Sequence, residues 1–248
     1  MIANPHSVAA RVSLLDEWAQ QANPQAALLE LQLYEHRGLS IDDWDRVPDE
    51  IERLIREKGD GWAEPLRSYV KGFRYELGLV ASVGMTGEAF VAKSDELIRT
   101  APLVRLTLSA PLDLAKVSNK PALSQIRCLT IAGGAGIDDE GIDALTRSPY
   151  IQQLRELHVA NGSLSERGIL RLISLQSRLP DLIYIDVSGN PGTDIADSRV
   201  SEINGRHYII GNAGELLLRE AYAATARGYS GQVDWPPLDS TFLFDNDE

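Results

Sequence analysis

Apolar residues recur at helical spacing through the first quarter of the chain and in short alternating runs beyond it. From Ser7 to Gln21, the residues Val8, Val12, Leu15, Trp18 and Ala19 fall three or four positions apart, which places them on one face of a helix. Asn23 and Pro24 mark the start of a second helix, a capping side chain followed by a residue whose missing N–H costs nothing in a first turn. Its stripe is Ala27, Leu28, Leu31 and Tyr34, and His36, Arg37 and Gly38 close it. Ser40 is expected to cap a third helix, with Asp42 and Asp43 where anions meet unpaired amides. Ile51, Leu54 and Ile55 form its inner side, Lys58 and Gly59 end it, and Pro48 predicts a break or kink near Val47. A short fourth helix is expected from Trp62 to Val70.

Beyond Gly72 each alternating run is followed by a glycine-containing turn and then by a segment of helical period, which predicts strand, turn and helix in repetition. The pattern leucine-x-x-leucine-x-leucine, with aliphatic exchange, occurs at Leu103, Leu106, Leu108; Ile126, Leu129, Ile131; Leu154, Leu157, Val159; and Leu182, Ile185, Val187. Their first positions lie 23, 28 and 28 residues apart. A second register agrees: Ile137, Gly141, Ile142 and Leu145 match Leu164, Gly168, Ile169 and Leu172 at an offset of 27. A weaker copy with Leu77 and Leu79 precedes them, and the stretch from Pro111 to Ala122, short and containing Pro121, predicts a loop or one helical turn.

The segment LRELHVANGSLSERGILRL, Leu154 to Leu172, resembles a leucine-rich repeat of the ribonuclease-inhibitor type, and the resemblance covers roughly residues 72–194. It implies an α/β solenoid with parallel strands on the concave face and helices on the convex face. The asparagine that such repeats carry at the ninth position is present as Asn190 but replaced by Gly134 and Gly162, so the ladder it forms is incomplete. The segments DEWAQQANPQAALLELQLYE and KGFRYELGLVASVGMTGEAFVAKSDELIRTAPLVRLTLSA are similar to the repeat-companion domain that precedes leucine-rich repeats in many bacterial proteins. The organisation expected is a helical cap over 1–71, repeats over 72–194, and a C-terminal cap and acidic tail over 195–248, with Arg206 to Ile210 a strand and Gly214 to Arg227 a helix. An end repeat without a cap exposes unpaired backbone and an apolar cross-section.

Alternation sends the residues between the aliphatic positions to the outer sheet face. One column is Thr107, Thr130, His158 and Asp186; the next is Arg105, Cys128, Glu156 and Tyr184; a third is Ser109, Ala132, Ala160 and Ser188. The partner-binding residues expected from this are Arg105, Thr107, Thr130, Glu156, His158, Tyr184 and Asp186. Cys128, His158 and Asp186 also define an alternative, a thiol hydrolase or modifying enzyme, against which stand the different columns of Cys128 and His158 and the openness of a sheet face to water. Gly133, Gly134 and Gly136 are expected to form a turn, since no lysine follows as in a phosphate loop. Asp138, Asp139 and Glu140 sit where a helix begins. Trp18, Trp44 and Trp62 are expected to pack in the core or cap, and Trp235 either packs or serves as an exposed anchor.

The chain of 248 residues has one cysteine and four histidines without metal-ligand spacing, so no disulfide framework, metal or other cofactor is expected. No apolar run of membrane-spanning length and no signal peptide is evident, which predicts a cytoplasmic protein without membrane contact. The net charge of -12 disfavours nucleic acid and favours a basic protein partner. That charge is uneven: residues 1–60 carry 12 acidic and 6 basic groups and residues 190–248 carry 10 and 4, leaving the middle neutral. The function expected is non-enzymatic protein–protein interaction, in its sharper form an immunity or antitoxin-type inhibitor of a basic toxin or effector.

Overall fold

Strands separated by a helix can lie parallel only if each crossover returns to the same end of the sheet, and the repeating segments after Gly72 do this four times. A computed structural model describes residues 8–175, 178–179, 181–182, 184–192, 201–203, 206–210 and 215–217. Strands β2 (Leu79–Thr86), β3 (Arg105–Ser109), β4 (Cys128–Ile131), β5 (Glu156–His158) and β6 (Tyr184–Asp186) are parallel neighbours, and β1 (Gly72–Glu76) runs antiparallel to β2 at the near edge. The chain is thus α/β with a mainly parallel sheet. Leu106, Leu129, Leu157 and Ile185 are aligned in register, each buried.

Register also moves the first copy of the pattern. Val83 pairs with Leu106 and Met85 with Leu108, so Val80, Val83 and Met85 replace the expected Leu77 and Leu79. Leu77 and Gly78 instead form the two-residue turn of the β1–β2 hairpin, both with positive φ, 47° and 79°. A side chain at Gly78 would meet Leu29 at 2.6 Å, so glycine is required there on two counts.

The helices begin as the caps direct. Between β2 and β3 runs α5 (Gly87–Thr100), whose Thr86 hydroxyl accepts from the Ala89 amide at 3.1 Å. Where a loop or one helical turn is expected after β3, two short elements follow, α6 (Leu114–Ser118), capped by Asp113, and a 3-10 turn over Pro121–Gln125. Asp138 caps α7 (Asp139–Arg147) by accepting from the Gly141 amide at 2.8 Å, and α8 (Glu166–Ser174) precedes β6. Gly134 and Gly136 have positive φ in the turn after β4, as expected of that glycine run.

Glycine at position 162, where the next copy of the pattern has Asn190, has a steric reason. Asn190, 2% exposed, donates through Nδ2 to the Val159 and Val187 carbonyls at 2.8 Å and accepts from the Leu164 amide at 3.1 Å. A Cβ on Gly162 would lie 2.8 Å from Asn190 Oδ1, so the preceding repeat must be glycine where Asn190 sits.

In the N-terminal region α1 (Val8–Gln20) and α2 (Ala26–His36) form as expected, and Asn23 Oδ1 accepts from the Gln25 amide at 2.9 Å just ahead of α2. The third helix is displaced: a 3-10 turn holds Ile41–Asp43 and α3 (Arg46–Leu54) starts after it, which puts Pro48 in a first turn where its missing N–H is harmless. Ser40 caps no amide with its side chain; its hydroxyl donates to Asp43 at 2.7 Å, and Asp43 also receives Tyr34 and Arg46. A π-helical turn over Ile55–Gly59 leads into α4 (Asp60–Trp62). The helix expected over 62–70 is a series of turns, because Pro65 supplies no amide and disfavours helical backbone before it.

Leu28, Val47, Ile51 and Leu66 share one core with Leu106, Leu129, Leu157 and Ile185, while Trp18 packs with Leu29 and Leu33 in a smaller cluster. Gln32 fastens α2 to the hairpin: Nε2 donates to the Tyr75 carbonyl at 3.1 Å and Oε1 accepts from the Gly78 amide at 2.7 Å. Trp62 packs edge-on against Tyr75, but Trp44, expected to be packed, is 68% exposed.

At the far edge β7 (Ser201–Ile203), β8 (Arg206–Ile210) and β9 (Glu215–Leu217) add antiparallel strands, with β9 paired to β6. The expected strand at Arg206 to Ile210 is present. Of the helix expected from Gly214 to Arg227, the described residues Glu215–Leu217 are instead a strand that satisfies the outer backbone edge of β6 directly, and the remainder lies outside the described residues. Trp235 and the acidic tail lie outside the described residues.

Candidate functional site

Because the aliphatic column faces the helices, Arg105, Cys128, Glu156 and Tyr184 align on the opposite face, and Thr107, Thr130, His158 and Asp186 align beside them. Two residues apart on one strand share a face, so Glu156 and His158 of β5 stand together. His158 Nε2 lies 3.7 Å from Glu156 Oε2, and His158 Nδ1 lies 3.8 Å from Asp186 Oδ2. Arg105 crosses β4 to bring Nη1 within 3.4 Å of Glu156 Oε2, and its Nε lies 3.5 Å from Glu76 Oε1 on β1. Charge therefore alternates along the face in the order Glu76, Arg105, Glu156, His158, Asp186.

Neighbours hold these groups in place. Asp186 Oδ1 accepts from the Ser188 amide at 2.9 Å and its hydroxyl at 2.7 Å. The Tyr184 ring stands 5.1 Å from the imidazole of His158, tilted by 44°. Thr107 and Thr130 complete the second column as short, half-buried side chains, while Lys71 Nζ donates to the Ser109 hydroxyl at 3.1 Å in the third column.

Partial burial makes each charge depend on its partners. For His158 burial favours the neutral form, but Asp186, Cys128 and Glu156 outweigh it and raise the imidazole pKa well above its ordinary value. Burial likewise opposes ionisation of Glu156, and His158, Arg105 and Cys128 overcome it to lower its pKa. Asp186 is lowered against burial by His158 and Ser188. Each of these three groups is thereby held toward its charged form by its partners.

Cys128 joins this group although His158 stands in the neighbouring column. Its Sγ, a Glu156 carboxylate oxygen and a His158 ring nitrogen all lie within 4.8 Å of one another. Adjacent strands and adjacent columns bring these atoms together, so column assignment is no argument against a Cys128–His158 encounter. The thiol is 7% exposed, and Nε2, the nitrogen turned away from Asp186, faces Glu156. The sequence reading missed this three-donor cluster and the part of Glu76. The column spacing already aligned Cys128 with Glu156; no local signal fixed the hairpin register that supplies Glu76.

The helix side carries a second charged group. Asp143 is met by Arg167 Nη2 and Arg171 Nε, each at 3.1 Å, and by Arg147 at 4.0 Å, around a surface depression of about 480 Å³ that Leu170 also lines.

No protein-family model matches the chain, and neither a curated protein nor a solved structure is found to match it. Among the described residues no helix is long and apolar enough to cross a membrane.

Proposed function

We propose that the chain is a leucine-rich repeat solenoid with an N-terminal helical cap, and that it acts without catalysis by docking another protein on its outer sheet face. The observation that carries this reading is the row of Glu76, Arg105, Glu156, His158 and Asp186, held in fixed register on an open face with Tyr184 beside it. Charges already ordered by their neighbours lose little freedom on binding, and a tyrosine adjoining them offers a large contact area with a polar tip. The contact residues are Arg105, Thr107, Thr130, Glu156, His158, Tyr184 and Asp186. A net charge of -12 selects a basic partner such as a toxin or effector, and the setting is the cytoplasm of a bacterium. The test is affinity capture from the cells that make the protein, comparing the wild type with Arg105→Ala/Tyr184→Ala and with a helix-side variant, Arg167→Ala. One polypeptide retained by the wild type and by Arg167→Ala, and lost from the double variant, supports docking on the sheet face; equal retention by all three overturns it.

The approach of Cys128 to His158, itself paired with Asp186, favours a second reading as a thiol hydrolase. It is the weaker one, since a nucleophile must reach its substrate and this thiol is nearly covered. Cys128→Ser that abolishes turnover of the captured partner, with binding intact, would establish it.

A further inference from the structure

Three chemically different donors, a thiol, an imidazole and a carboxylate, converge on the sheet face from two adjacent strands. We propose that Cys128, Glu156 and His158 bind one divalent transition-metal ion of the zinc type, with Asp186 orienting His158 from behind and solvent completing the coordination. Sulfur, imidazole nitrogen and carboxylate oxygen form the donor set that zinc and its spectroscopic substitute cobalt accept. Bond lengths of about 2.0–2.3 Å to a tetrahedral ion place ligand atoms roughly 3.3–3.8 Å apart. Glu156 Oε2 and His158 Nε2 already lie 3.7 Å apart, and all three donors fall within 4.8 Å, so side-chain rotation of about an ångström closes the set.

The second nitrogen of the ring supports the same assignment. A metal-bound histidine commonly turns its other N–H to a carboxylate, and Nδ1 faces Asp186, which Ser188 holds through two hydrogen bonds. Burial is graded: Cys128 is nearly covered, whereas the His158 and Glu156 side chains keep 15% and 13% of their surface, leaving the outer position open to water. Binding uses the thiolate of Cys128 and an unprotonated ring nitrogen of His158, so the entering ion competes with protons for both ligands. Arg105 competes for Glu156 Oε2 and keeps Glu76 as its partner when the ion enters.

This site is argued independently of partner docking, and neither result decides the other. The test titrates the full-length, reduced protein with Co²⁺ alone and follows its absorption. The expected result is saturation at one equivalent with a thiolate-to-cobalt charge-transfer band in the near ultraviolet, reversed by Zn²⁺. Cys128→Ser removes the band, and Asp186→Asn weakens binding by about 10–100-fold while the band at saturation persists. Binding without the charge-transfer band in the wild type, or saturation of the wild type at more than one site, overturns the proposal without recourse to any variant. Unchanged cobalt affinity in Cys128→Ser overturns it equally.

Discussion

Arg105 and Glu156 meet across an intervening strand: Nη1 of the arginine stands 3.4 Å from Oε2 of the glutamate, with Cys128 between them in the same column. A long side chain can span two strand spacings of about 4.8 Å each only where the residue between them is small. The one cysteine of the chain fills that place, and the ordered row of charges follows from it.

Removing either end of this bridge should therefore affect the other. A double-mutant cycle on Arg105→Ala and Glu156→Ala, read by chemical denaturation, is expected to give a coupling of about 0.5–1 kcal/mol that shrinks with added salt. Additive effects of the two substitutions would show that the pair is not formed in solution.

Leu157 is fully buried between Leu129 and Ile185 in the aligned aliphatic column. Leu157→Ala is expected to lower unfolding free energy by roughly 2–5 kcal/mol through lost transfer energy and a residual cavity. A loss well under about 1 kcal/mol would place this side chain at the surface and contradict the register.

Gln32 satisfies a carbonyl and an amide of the β1–β2 hairpin from inside the helical region. Gln32→Leu keeps the size and strands both backbone groups, at roughly 1–3 kcal/mol for each. Thermal melting should show this loss, whereas Gln25→Leu, which gives up only a longer 3.3 Å bond to the Gly78 carbonyl, should melt near the wild type. Equal melting of the Gln32→Leu protein and the wild type would separate the helices from the sheet.

Asp43 accepts from Ser40, Arg46 and Tyr34, and these partners hold its pKa at about 2 against an ordinary value of 3.8. A carboxylate depressed on folding stabilises the native state above its unfolded value, so this contribution is present above about pH 4 and is lost as pH falls toward 2. Carbon-detected NMR titration should find the Asp43 midpoint near 2, and Ser40→Ala should raise it. A wild-type midpoint at 3.8 would mean that the cluster is not formed.

The strands and their columns were legible in the sequence because each repeat buries the same three positions, and a one-residue slip would turn Leu106 or Leu157 to solvent. The first copy was misplaced by six residues, Leu77 and Leu79 for Val83 and Met85, because β2 is buried on most of both faces and its residues stand in a run without clear alternation. The break falls just before Arg46 rather than near Val47 because Pro48 is tolerated in a first turn, and the turns through Pro65 follow from that proline, which apolar spacing alone does not weigh. Of the site, the spacing gave the neighbours Glu156, His158, Tyr184 and Asp186. Glu76 was out of reach because a two-residue turn sets its register, and the Cys128 cluster because ligands 28 and 30 residues along the chain, Glu156 and His158, form no local motif.

The central claim is that the outer sheet face carries the function. The measurement that tests it most directly is the dissociation constant for the captured partner, compared between Tyr184→Ala and Leu170→Ala, the latter an exposed apolar position on the helix side. Docking on the sheet face is expected to cost Tyr184→Ala about 2 kcal/mol, roughly a 30-fold weaker complex, and to leave Leu170→Ala within about twofold of the wild type. Wild-type affinity in Tyr184→Ala together with a large loss in Leu170→Ala would contradict it and move the binding surface to the helices.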